Sequence, residues 1–249
     1  MKSDDSTTGE IHVSRLRGHM KILNLKLKIN NVFKNIDFAV RRMVNAGYTA
    51  RDQEGVRKHI EELKEKGIPA PAEIPTLYPV APYLITTGGV LEVVEEDNSG
   101  EAEFVLFLEE GRIYVGVGSD HTDRALEAVS IVKAKQMCPN VVSPVVWPYE
   151  QLEGIWNNLV LRSWVERDGK TTLYQEAELS AFMGVEDLLA FVKSKIKDRD
   201  LENMVIFSGT VPAIGGKVLS GNGFEAELFN PRNGESLRCG YRIEMPSYL

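Results

Sequence analysis

Apolar and polar residues alternate at Leu23, Leu25, Leu27 and Ile29, and a two-residue period of this kind predicts a β-strand with one face turned inward. The spacing changes at Ile36, Val40, Met43 and Val44, which predicts a helix stopped at Gly47. A second helix is expected with Val56, Ile60 and Leu63 on its apolar side and Gly67 as its stop, followed by an extended segment from Pro69 and Pro71 to Tyr83. Ala102, Phe104, Leu106 and Leu108 alternate as the core side of another strand. Glu110-Gly111 then predicts a hairpin into Ile113, Val115 and Val117. A helix bearing Leu126, Val129 and Val132 is expected to begin near Thr122-Asp123, and Asp168-Gly169 to join strands 159–166 and 171–178 as a hairpin. One more helix carries Val185, Leu188, Leu189, Val192 and Ile196, and short strands around Val205, Glu225 to Phe229 and Leu237 to Ile243 close the chain. Strands outnumber helices in the second half, so the expected class is α+β on a rolled or sandwiched sheet.

Composition narrows the function. The 249 residues suffice for one large domain or two small ones, and one is favoured. A net charge of −7 disfavours a polyanionic partner, so nucleic acid is not expected. The two cysteines, Cys138 and Cys239, support neither a disulfide framework nor a thiolate zinc site, and a cytoplasmic location is expected. The sequence has no apolar run of about 18 residues to span a bilayer. Residues 1–19 read as a polar, disordered tail or leader, and residues 20–249 as a single domain, with a strand and helices over 20–80 and a sheet-rich core over 81–249.

The chemistry concentrates on Glu101, Glu103 and Asp120. Side chains two apart on a strand share a face, so Glu101 and Glu103 point the same way, alongside Val105 and Phe107. Two carboxylates on such ground repel unless a cation lies between them, and a divalent metal is the simplest relief. A solvated strand face is the competing reading for the glutamates, and a helix cap for Asp120.

In this order, Glu101-Ala102-Glu103, the strand ending Gly-Val-Gly-Ser-Asp120, Arg124, Lys135, Ser143-Pro144 and the segment Ser208-Gly209-Thr210-Val211-Pro212 resemble the fumarylacetoacetate hydrolase superfamily. The resemblance runs from about Ala81 to the C-terminus, and Gly118 to Arg124 (Gly-Ser-Asp-His-Thr-Asp-Arg) resembles one prokaryotic branch of it. It implies a fumarylacetoacetate hydrolase-like mixed β-sandwich roll with flanking helices, as a homodimer. One divalent cation, Mg²⁺ foremost with Mn²⁺ or Ca²⁺ as alternatives, would sit on Glu101, Glu103 and Asp120. Lys135 becomes the cation beside a developing enolate or oxyanion; Arg124 either binds a substrate carboxylate or pairs with a metal-ligating acid; Thr210 contacts a substrate carboxyl. Val211 departs from the superfamily's usual Gly-Thr-Pro at that turn.

The water-activating base implied by the resemblance is His59 with Glu62, one helical turn apart, with a half-buried helical histidine as the competing reading; His121, beside a proposed ligand, is the alternative base. The implied function is metal-dependent hydrolysis of a carbon–carbon bond in a small 2-oxo acid or β-dicarbonyl, an acylpyruvate-like carboxylate. Decarboxylation, hydration or tautomerisation on the same scaffold, non-catalytic binding of a small molecule or cation, and a purely structural ion site are the alternatives.

Overall fold

A computed structural model describes residues 20–65 and 73–248; the proposed tail and Gly67 to Pro71 lie outside the described residues. So do the side chains at 58, 59 and 62–65, and with them the His59 imidazole and the Glu62 carboxylate.

The chain opens with β1 (Lys21–Ile29), β2 (Val32–Val40), β3 (Arg42–Gly47), α1 (Gln53–Glu65) and β4 (Thr76–Val80). Short strands β5 (Ile85–Thr86), β6 (Gly89–Glu92) and β7 (Asn98–Ser99) lead into the central pair β8 (Ala102–Glu109) and β9 (Arg112–Asp120). After β10 (Thr122–Asp123) come α2 (Arg124–Glu127), α3 (Ile131–Ala134), β11 (Asn140–Val142) and β12 (Val145–Pro148). The remainder is β13 (Val160–Arg167), β14 (Lys170–Glu178), α4 (Val185–Lys195), β15 (Met204–Phe207), β16 (Gly223–Asn230) and β17 (Glu235–Glu244).

One mixed sheet runs β2-β1-β12-β9-β8-β15-β3-β4, with β11 joining β9 to β5; a second runs β14-β13-β16-β17-β6. The face of β8 and β9 carrying Phe104, Leu106, Val115 and Val117 packs on Leu161, Ala226, Leu228 and Leu237 of the second sheet, which makes the sandwich. The opposite face of β8 is buried as well. Val105 and Phe107 pack with Leu23, Leu25, Leu27 and Phe38 from β1 and β2, strands not adjacent to β8, so the large sheet curls over itself. Phe38 and Phe107 meet edge to face at 5.4 Å between ring centroids. Each such buried ring contributes about 1.5–3 kcal/mol.

The expected helix over Ile36 to Val44 is instead β2 and β3. Asn30 and Asn31 adopt φ of 46° and 65°, a tight turn that folds β2 back on β1 in register from Lys21↔Val40 to Ile29↔Val32. A spacing of four fits a strand face as well as a helix face, and Ile36, Phe38 and Val40 in fact alternate. The helix expected after Thr122 is also corrected: two single turns, α2 and α3, stand there, with Val129 82% exposed rather than on a buried stripe. The cap of α2 is Asp123, whose carboxylate accepts the Leu126 N–H at 2.8 Å, and Asp120 belongs to β9. Both expected hairpins stand, with Glu110-Gly111 and Asp168-Gly169 at positive φ.

Candidate metal and substrate site

The β8–β9 register assembles the carboxylates. Ala102 pairs with Ser119 and Glu103 with Gly118, so Glu101 falls opposite Asp120, whose N–H donates to the Glu101 carbonyl at 3.0 Å. Opposed residues bring their side chains together, and Glu101 and Glu103 share a face. A carboxylate oxygen from each of Glu101, Glu103 and Asp120 lies within 4.8 Å of the others. Asp120 and Glu103 are buried, while the Glu101 side chain keeps 17% of its surface. Gly118, opposite Glu103, leaves room for this, since a Cβ there would stand 2.8 Å from Phe207, Val105 and the Val141 carbonyl.

Lys135, just after α3, reaches into the cluster: its ammonium donates to Asp120 and, at 3.4 Å, to Glu101. Arg124 holds Glu101 from the other side at 3.1 Å and commits its remaining arms to Glu127 and the Ser99 hydroxyl, each at 2.7 Å. Glu103 accepts the Gly209 N–H at 2.8 Å. The electrostatics follow. Burial alone would raise Glu101, but Lys135 and Arg124 outweigh it and hold its pKa low. Burial, followed by the charges of Asp120 and Glu101, pushes Glu103 well above the carboxylate range. Asp120 is raised by burial and by Glu101 against the opposing ammonium. Burial works against the Lys135 charge, yet Asp120, Glu101 and Glu103 raise its pKa, so it stays an ammonium.

This donor set fits a hard divalent cation. Three carboxylates face two cations, the Asp120 Oδ1 atom is buried without a hydrogen-bond partner, and oxygen ligands suit Mg²⁺, Mn²⁺ or Ca²⁺.

Of the remaining expected residues, Thr210 stands beside the cluster but its hydroxyl is committed: it donates to the Ala102 carbonyl at 2.8 Å and accepts from Gln175 Nε2 at 2.7 Å. His121 adjoins Asp120 but is fully buried and bonded at both nitrogens, to Tyr241 and Asn98 at 2.9 Å each; burial, then the Arg124 charge, pushes its pKa down to about 4. The side chains of His59 and Glu62 lie outside the described residues.

The sequence reading missed three supports. Gln175 accepts the Ala102 N–H at 3.0 Å, so it and Thr210 hold the two peptide groups that flank Ala102, the residue between the two glutamates. Tyr78, given no role from sequence, lies with its ring centroid 5.8 Å from the Lys135 ammonium, its phenol pushed up to about 12 by burial and then by Tyr48. Tyr48 is half-buried at φ 59°, a left-handed backbone that bulky residues rarely adopt, and its hydroxyl is raised by burial and the charge of Glu127.

Similar solved structures have low sequence identity to this chain. A hexagonal crystal form of 2-keto-3-deoxyarabinonate dehydratase is 16% identical with a TM-score of 0.59, over 95% of this chain and 82% of that one. 2-Keto-3-deoxy-D-arabinonate dehydratase complexed with magnesium and 2,5-dioxopentanoate is 15% identical with a TM-score of 0.58, over 94% and 81%. Cg1458 with inhibitor is 16% identical with a TM-score of 0.59, over 86% and 81%. These likenesses show the fold, a fumarylacetoacetate hydrolase-like α+β fold. None of the curated proteins matches the sequence. Residues 46–241 match the family described as protein of unknown function (DUF2848), and the chain belongs to that family.

Proposed function

We propose that this protein is a divalent-metal-dependent enzyme acting on a small 2-oxo acid, by elimination in the manner of a lyase or by hydrolytic cleavage of a carbon–carbon bond. The observation that carries the reading is the trio Glu101, Glu103 and Asp120, the last two buried, with the Lys135 ammonium beside it. The fold shared with a dehydratase solved with magnesium and a dioxo acid supports it.

Glu101, Glu103 and Asp120 would hold the ion, Mg²⁺ foremost, and a bound ion would polarise the adjacent keto and carboxylate oxygens of the substrate. The chain's own residues do the rest. Lys135, fixed as an ammonium in a nearly dry site, stabilises the enolate charge that forms when the proton next to the keto group is lost. Substrate would enter on the Glu101 side, where the cluster keeps solvent access and half-buried Tyr48 stands near. Arg124 keeps Glu101 in place; Thr210, with its loop, braces the glutamate-bearing strand and borders the carboxylate subsite. The base role goes to His59 with Glu62, three residues apart in the sequence, because both nitrogens of His121 are already bonded. A cytoplasmic homodimer completes the reading, on the strength of the superfamily resemblance and two unpaired buried cysteines.

Non-catalytic binding of a cation and a carboxylate is the second reading. It is favoured by the commitment of both His121 and Thr210, among the described residues, to internal hydrogen bonds. Steady-state assays of chelator-treated protein with Mg²⁺ or Mn²⁺ restored separate the two. Acylpyruvates, oxaloacetate and 2-keto-3-deoxy sugar acids are the substrates to screen. Metal-dependent turnover lost in Glu103→Gln and in His59→Ala is expected. Metal binding without turnover of any of them would leave the binding reading.

A further inference from the structure

Behind the carboxylates lies a line of buried polar side chains that the proposed chemistry does not use. Ser119, His121, Asn98 and Tyr241 are all at most 6% exposed; three come from separate strands, β9, β7 and β17, and His121 from the link between β9 and β10. The Glu101 N–H donates to Ser119 Oγ at 3.2 Å; Ser119 Oγ and Tyr241 Oη are 2.8 Å apart; Tyr241 Oη and His121 Nδ1 are 2.9 Å apart. His121 Nε2 stands 2.9 Å from Asn98 Oδ1, and Asn98 Nδ2 donates to the Glu95 carbonyl at 2.6 Å.

Donor and acceptor counting fixes the direction of every bond. A carbonyl only accepts, so the Asn98 NH₂ must face Glu95 and its Oδ1 must face His121. Nε2 therefore carries the proton. In the neutral ring Nδ1 then accepts, which uses the single hydrogen of Tyr241, so Tyr241 takes the Ser119 hydroxyl hydrogen, and Ser119 is left to accept from Glu101. Each hydrogen between the Glu101 N–H and Asn98 Oδ1 is then used once. An imidazolium would reverse the Tyr241 bond and leave the Ser119 hydrogen without an acceptor in the line.

We propose that His121 is a positioning residue, held as the neutral Nε2–H imidazole, whose one-way hydrogen-bond line fixes the Glu101 peptide and ties it to the segment 95–99. The assignment rests on the reading of Glu101 as a metal ligand only for its effect on metal. Two further observations place the line where it matters. Gly100, next to Glu101, passes so close to Tyr241 that a Cβ would stand 2.6 Å from its hydroxyl. Segment 95–99 also carries Ser99, which accepts from Arg124, and the Asp97 carbonyl, which accepts the Arg124 N–H at 2.8 Å. Both the glutamate and the arginine that holds it are thus referenced to one buried frame. Buried networks of this kind rigidify when every member is satisfied.

Long-range ¹H–¹⁵N correlation of the histidine side chains tests the central statement in the wild-type protein, with His121→Asn to assign the ring. A protonated Nε2 and a bare Nδ1 are expected; an Nδ1–H ring would overturn the proposal. Amide exchange and Mn²⁺ titration are then compared in wild type, Tyr241→Phe and Ser119→Ala. The Glu101 amide should exchange about tenfold faster in either variant while Leu106 is unmoved, and Mn²⁺ affinity should fall roughly tenfold. An unchanged Glu101 amide in variants that fold would also overturn it. If wild type bound no Mn²⁺, the metal reading would fail, and the tautomer and the Glu101 amide would still decide the role of His121.

Discussion

Lys135 donates a hydrogen bond to Asp120 across a site where the two side chains retain 8% and 0% of their surface. A buried ion pair is strongly destabilising to break from one side, because the partner charge is left without compensation. Here the other side holds three carboxylates, so the ammonium is what makes the metal-free protein tolerable.

Lys135→Met is therefore expected to lower stability by roughly 3 kcal/mol in chelator, read as a shift in urea midpoint. Adding Mn²⁺ should narrow the gap to wild type, since an ion bound by the folded state stabilises it by mass action. A gap that is the same with and without Mn²⁺ would show that the ion does not share these carboxylates.

Arg124 separates two readings left open by the sequence. All three of its side-chain partners are internal, and one is Glu101. Arg124→Gln should weaken Mn²⁺ binding by about tenfold, the usual effect of losing a group that orients a ligand. A raised KM with unchanged Mn²⁺ affinity would instead make it a substrate-carboxylate group.

Gly118→Ala places a methyl group against Phe207, Val105 and the Val141 carbonyl, directly across the strand pair from Glu103. Overpacking of this kind costs about 1–3 kcal/mol. A lowered melting temperature together with weakened Mn²⁺ binding is expected; a variant that melts like wild type would mean that β9 shifts freely there.

Away from the site, Glu227 is 1% exposed between Arg162 and Arg238. Burial pushes its pKa up, but hydrogen bonds from Arg162, Ser236 and Arg238 together outweigh this and leave it depressed. A carboxylate with a depressed folded-state pKa adds stability above its unfolded value, about 4.3, and that stability is lost as pH falls through the folded value. The stability difference between wild type and Glu227→Gln should thus be largest near pH 7 and shrink below about pH 4. A difference that grows on acidification would contradict the sign.

Local patterns were legible where a single period or turn governs them. Glu110-Gly111 and Asp168-Gly169 announced their hairpins, and Glu101-Ala102-Glu103 announced two carboxylates on one face. The sequence also ordered Asp120 and Lys135 after them, and the structure brings all four together. Ile36 to Val44 misled because its fourfold spacing suits both periods, and only pairing with β1 decides between them. The burial of Glu103 was understated because the curl of the sheet over β8 is a tertiary fact. For the same reason Gln175, Tyr78 and Tyr241 carried no signal, each reaching the site from more than 20 residues away in sequence.

The central claim is that the three carboxylates hold one divalent ion, and calorimetric titration of chelator-treated wild type and Glu103→Gln with Mn²⁺ tests it most directly. The account predicts saturable uptake of one ion per chain in wild type and none at the same concentrations in Glu103→Gln. Wild-type protein that takes up no ion, or a variant that binds as wild type does, would contradict it.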